Sequence, residues 1–238
     1  MSPDLSVRAV AAHELMDDPH ADQRMLEHTY RRFALINSVV SRPGLLYRRD
    51  IRPRARRGRV RILDVGSGGG DLCRMLAARL RRDGLSAHIT ALDADDRATR
   101  WASAHDAGAA VRYLCAHTAD LVRAGETFDI VLSNHVLHHL GPDELQQLLS
   151  DTRVLAGAGG LVVHGDIARS RFAYVLFAAL TLPLAKNLLA GSFIRDDGLT
   201  SIRRSYTASE LAAVAPSGWQ VRTGIPSRIE LRWGSADA

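Results

Sequence analysis

From Arg61 onward, short β-branched apolar runs alternate with stretches of helical periodicity. The strand-like runs are RILDV from Arg61, HITALD ending at Asp93, VRYLCA over 111–116, FDIVLS over 128–133, and GLVVHGD ending at Asp166. Between them the spacing of apolar positions predicts helices over 72–82, 97–105 and 143–155. Strands that read as nearly unbroken apolar runs and alternate with helices imply a parallel sheet covered on both faces. After Asp166 the rhythm breaks. An apolar helix from Phe172, a loop SFIRDDGLTSIRRSYT, a short helix over 209–214 and two last strand runs, WQVRT and RIELRW, predict a lid at about 170–207 and a closing antiparallel pair. The fold class is therefore α/β, a Rossmann-like doubly wound, seven-stranded, mostly parallel sheet.

Ahead of the sheet, apolar residues Leu15, Met25, Leu26, Tyr30, Phe33, Leu35, Ile36, Val39 and Val40 recur at spacings of three and four. They predict two helices separated near Pro19, an N-terminal cap. Between cap and sheet lies a segment dense in arginine from Arg42 to Arg61 and punctuated by Pro43, Gly44, Pro53 and Gly58, which reads as connector. The organisation is a cap and connector over 1–60 and a single Rossmann-like domain over 61–238.

Composition refines this picture in two ways. With 238 residues, 46% hydrophobic and 24% charged, the chain can bury roughly 70% of the surface it exposes when unfolded, which excludes disordered and disulfide-stapled classes. The formal net charge is +5, and of the 31 basic residues only Lys186 is a lysine. So one-sided a choice reads as coding bias and a solvated arginine surface ahead of a nucleic-acid groove. Cys73 and Cys115 stand apart in apolar contexts and predict buried thiols. No basic segment followed by an apolar run opens the chain, which predicts a cytoplasmic protein. The apolar stretch 172–185 is shorter than the ~20 residues of a spanning helix and contains Pro183, so no integral membrane segment is predicted.

The chemistry gathers at two places. Ile62 to Asp71 is an apolar strand running into Gly66, Ser67, Gly68, Gly69 and Gly70, then into a helix. Glycines there let backbone turn and approach a ligand without a Cβ, and the next strand ends at Asp93, placed to accept ribose hydroxyls. Asp64 and Asp71 would repel a pyrophosphate but suit a ligand carrying an ammonium and a sulfonium. This loop resembles motif I of class I S-adenosylmethionine-dependent methyltransferases, over Arg61 to about Ile167. The resemblance implies S-adenosyl-L-methionine as cofactor and S-adenosyl-L-homocysteine as product, held by Asp64, Gly66, Ser67, Gly68, Gly70, Asp93, Ala94 and Asn134. In the family an acid after the third strand often meets the adenine amino group. Here His117 occupies that place, so His117 or Thr118 is expected to take that role.

The second place is FDIVLSNHVLHHL, where a short helix is expected to set His135, His138 and His139 on one face at i, i+3 and i+4. An imidazole there can take the proton of an acidic hydroxyl as methyl transfer proceeds, with Asp166 orienting it. His139, His138, His135 and Asp166 are the candidate catalytic residues. A third reading, that the three histidines ligate a cation, is weighed below base catalysis, and no metal is favoured.

The cap from Tyr30 to Ser41, with Gly44, Tyr47 and Arg48, is similar to the start of menaquinone and ubiquinone C-methyltransferases. The segment Asp196 to Tyr206 looks like a bacterial subgroup associated with type III polyketide synthases. Together they imply a small phenolic or quinol-like, polyketide-derived acceptor, with O-methylation favoured over C-methylation. The alternatives are an RNA methyltransferase, motivated by the arginine segment, and a quinone-biosynthesis C-methyltransferase. A small aromatic partner, no nucleic acid, and a monomer or homodimer are expected.

Overall fold

The computed structural model describes residues 3–234, except the side chains at 34, 35, 38, 39 and 40. The expectations that rest on the side chains of Leu35, Ser38, Val39 and Val40 lie outside the described residues. The chain opens as an extended strap with one 3-10 turn at Leu15–Asp17, followed by α1 (Gln23–Val40), whose N-cap Asp22 accepts the amide of Met25. The first of the two helices predicted around Pro19 is thus only this turn. Leu26 and Tyr30 anchor α1 against Ala98 and Phe193.

The arginine-dense segment is folded. It is helical over 43–55 as α2 (Pro43–Leu46), a π-helical turn (Tyr47–Ile51) and α3 (Arg52–Ala55), and a short turn then leads into the sheet. Leu46, Tyr47, Ile51 and Ala55 are buried on one side of it. Charge density hid this face, because four core residues are spread among arginines. Nor are the arginines uniformly solvated: Arg54, Arg169, Arg204, Arg228 and Arg232 are buried. Arg232 is held by Asp50 at 2.6 Å and by Glu230 at 3.2 Å, and Arg49 reaches the same two acids.

The sheet follows as β1 (Val60–Val65), α4 (Asp71–Arg82), β2 (Ala87–Asp93), α5 (Asp96–Ala104), β3 (Arg112–Cys115), α6 (Thr118–Arg123), β4 (Ile130–Asn134), α7 (Pro142–Ala156) and β5 (Leu161–Ile167). Then come α8 (Arg171–Thr181), α9 (Ile194–Arg204), α10 (Ala208–Val214), β6 (Gln220–Gly224) and β7 (Arg228–Trp233). Strand order is β3-β2-β1-β4-β5-β7-β6, with β7 antiparallel to both neighbours and the rest parallel. This is the seven-stranded, mostly parallel sheet expected. One cluster, including Leu63, Val131, Leu149 and Leu231, packs one face, and another, including Ile62, Leu76, Ile130 and Val163, packs the other.

Three further expectations are corrected. The predicted loop SFIRDDGLTSIRRSYT is largely helix α9; its apolar residues Ile194 and Ile202 are buried, and Asp196 and Asp197 sit in its first turn, where the helix dipole favours them. Cys115 is exposed, because β3 is an edge strand, while Cys73 is buried as expected. His135, His138 and His139 do not share a helical face: only Leu137–His139 forms a 3-10 turn, and His135 precedes it with φ of 60°.

Candidate functional site

The parallel strands end on one edge of the sheet, where β1 contributes Asp64, β2 Asp93, β4 Asn134 and β5 Asp166. A cavity of about 790 Å³ opens there, roofed by the strap, α1 and α9. Its lining includes all the predicted site residues except Gly70 and Asp166.

At the glycine-loop end, Gly66 has φ of 67°, and a Cβ there would lie 2.4 Å from Val136. Gly68, at φ of 51°, has no atom within 4 Å of where a Cβ would stand, so the loop faces open space. Asp93 accepts the amide of Gly68 at 2.7 Å on one oxygen and that of Asp95 at 2.9 Å on the other. Each oxygen retains a lone pair for a further donor. Burial raises the pKa of Asp93, and pushes that of Asp64, which accepts the Cys73 thiol at 3.3 Å, to about 8. Gly70 lies behind the loop as the N-cap of α4, where a Cβ would meet Tyr113 and Arg74 at 3.0 Å. Thr118 lines the cavity, but its hydroxyl is committed to Asp151 at 2.6 Å. Asn134 spends its amide on Ser41 at 2.6 Å, and its oxygen accepts from Arg228 at 3.3 Å.

The histidines form the other half, and each has a different place. His138 is buried: Nδ1 lies 2.9 Å from Asp166, and Nε2 lies 3.2 Å from Glu14 of the strap. Burial alone would depress its pKa, yet the two carboxylates override it and hold the imidazolium up to about 10. Asp166 is held far below the ordinary carboxylate range by His138 and His135 against the cost of burial. His135 bridges Asp166 at 3.5 Å and Ser41 at 3.0 Å. Because Ser41 already accepts from Asn134, its own hydroxyl proton is available to His135 Nε2. His139 is the most accessible of the three, with Nδ1 3.1 Å from Asp17 and Nε2 3.8 Å from Glu14, beyond hydrogen-bond reach. Burial opposes ionisation of Asp17, but His139 and Arg204 outweigh it and lower its pKa.

Glu14 and Asp17 carried no signal in the sequence, since nothing local links a strap carboxylate to a histidine more than 120 residues on. Asp197 was missed for the same reason. Its carboxylate accepts the amides of Leu15 at 2.7 Å and Met16 at 3.1 Å, pinning the strap over the cavity, and burial raises its pKa to about 6.

Residues 62–160 match the family model described as a methyltransferase domain. The matched stretch, from β1 to the turn before β5, is thus similar to a methyltransferase domain. The chain is 33% identical over 132 residues to a ubiquinone biosynthesis O-methyltransferase of Rhizobium etli, covering 55% of this chain and 48% of that protein. It is 32% identical over 113 residues to one of Parvibaculum lavamentivorans, covering 47% and 42%. The matched segment thus spans about half the length of these relatives. In fold, the domain and its cap are similar to the plantazolicin methyltransferase BpumL in complex with S-adenosylhomocysteine, with a TM-score of 0.63, 12% identity, and coverage of 92% of this chain and 91% of that one. Magnesium protoporphyrin IX methyltransferase from Synechocystis with bound S-adenosylmethionine gives a TM-score of 0.53 at 16% identity, covering 86% and 82%. Within the matched stretch the glycine loop and Asp93 line one half of the cavity, and the strap and histidines line the other.

Proposed function

We propose that this protein transfers the methyl group of S-adenosylmethionine to the hydroxyl of a small phenolic or quinol-like acceptor, with His139 as the general base. The observation that carries the reading is the Asp17–His139 pair on the wall of the cavity that also contains the glycine loop. Both halves of the cavity fit the assignment. Open space above Gly68 admits a ligand against the backbone, Asp93 presents lone pairs for two ribose hydroxyls, and a ligand bearing positive charge would restore the ionisation that burial costs Asp64 and Asp71. When bound, the cofactor supplies an activated methyl group.

This chain's own residues do the rest. Met16, Phe33, Leu140, Phe177 and Ile202 give the acceptor half an apolar wall, which excludes water and positions a ring. Asp17 accepts the Nδ1 proton of His139, leaving Nε2 with the lone pair that takes the acceptor's hydroxyl proton. His138, protonated and enclosed by Glu14 and Asp166, has no lone pair to offer and acts as the electrostatic post that fixes the strap and the β5 end. Asp166 positions His135 and His138 from beneath the cavity. The names of the relatives support an oxygen acceptor. Arg49 and Arg52 of the arginine segment are engaged in ion pairs, which speaks for a structural use of part of it over an RNA reading. Calorimetric titration with S-adenosylmethionine, followed by label transfer to resorcinols, naphthols and quinols, tests the proposal. Saturable binding and a labelled phenol ether are expected, and absence of cofactor binding would refute it.

A further inference from the structure

We propose that the outer face of α8 and the turns after it dock this protein onto an anionic lipid bilayer surface. Helix α8 has two unlike sides. Ala173 and Thr181 are buried and Phe177 reaches the cavity, at spacings of four, so this side faces the protein. The other side leaves Phe172 63%, Val175 60% and Leu182 64% exposed, at spacings of three and seven. Leu180, 61% exposed, and Leu188, 40% exposed, extend the patch. No helix of the described residues is long and apolar enough to cross a membrane, so this face would lie on the bilayer surface.

The charges around the patch select the partner. Between Asp166 and Asp196 the chain has no acidic residue, while Arg171, Lys186 and Arg195 flank the apolar row. None of the three makes an ion pair with a described residue, and Nε of Arg195 is buried without a hydrogen-bond partner. Arg169, by contrast, is spent on Glu210. A second copy seated on this face by two-fold symmetry would bring like charges against one another. Anionic headgroups neutralise the same cations, and the acyl boundary takes up the apolar row. Phe177, on the inner side of α8, packs against Gly198 at the acceptor end of the cavity, so a docked α8 lies between bilayer and acceptor site. That last link rests on the methyl-transfer reading, whereas docking itself does not.

The test is co-sedimentation of the full chain, without cofactor or acceptor, with phosphatidylcholine vesicles containing or lacking phosphatidylglycerol. Binding to the anionic vesicles that weakens as salt rises is expected. F172D/L182D, altering exposed side chains, should lower the partition coefficient at least about tenfold. Replacing Arg171, Lys186 and Arg195 by Gln should cost about fivefold per cation on anionic vesicles and little on neutral ones. No sedimentation with anionic vesicles at low salt, or unchanged binding by F172D/L182D, overturns the proposal. So does a dimer in sedimentation velocity that F172D/L182D dissociates while vesicles fail to bind. Methyl transfer measured on a water-soluble phenol is read separately, so failure of docking leaves that activity standing.

Discussion

His139 Nδ1 lies 3.1 Å from the carboxylate of Asp17, although 122 residues separate them. The strap closes over the sheet edge and converts an isolated imidazole into an oriented one. If His139 takes the acceptor's proton, His139→Ala lowers kcat by about a hundredfold and leaves the cofactor Kd within a factor of about two. Asp17→Asn lowers kcat by about tenfold, because the ring loses the carboxylate that orients it. Unchanged turnover in His139→Ala would remove the base from the mechanism.

Asp93, proposed to meet the cofactor's ribose, is separable from folding, since its two backbone partners are loop amides. Asp93→Ala should weaken cofactor binding by about ten- to a hundredfold, the loss of hydrogen bonds to a charged group. Calorimetry reads it directly, and equal affinity for variant and parent would reject the ribose assignment.

His138 predicts a pH dependence of stability. Its pKa is raised to about 10 in the folded protein, against about 6.5 when unfolded. The stabilisation is complete below about pH 6.5 and is lost as pH rises through 10. His138→Gln removes one partner from a buried carboxylate–imidazolium–carboxylate row and should cost about 3–5 kcal/mol near neutrality. In denaturant titrations the gap between parent and variant should shrink toward pH 10; a gap independent of pH contradicts the ion-pair account.

Gly66 tests the loop geometry. An alanine there must hold φ at 67° and place its Cβ 2.4 Å from Val136, next to the turn that carries the histidines. Gly66→Ala should lower thermal stability and weaken cofactor binding together. An alanine at Gly58, where nothing lies within 4 Å, serves as the control.

The sheet was legible because parallel strands covered on both faces leave an unmistakable trace, and WQVRT and RIELRW announced the antiparallel pair. The placement of the glycine loop and Asp93 on one cavity wall was legible because they lie at two successive strand ends. The acceptor side was not. Its carboxylates, Glu14, Asp17 and Asp197, come from a strap without periodicity and from a helix whose polar sequence reads as loop, and only tertiary closure gives them meaning. The same closure separates three histidines that look alike in sequence. His138 becomes a buried ion, His135 a bridge to Ser41, and His139 a ring whose Nδ1 meets Asp17 while Nε2 lies 3.8 Å from Glu14.

The most direct test is NMR of the product formed from S-adenosylmethionine carrying a labelled methyl group and a panel of resorcinols, naphthols and quinols, with parent and His139→Ala run side by side. The account predicts a methyl resonance on phenolic oxygen with the parent and about a hundredfold less with the variant. A methyl group on ring carbon, or equal product from both proteins, would contradict it.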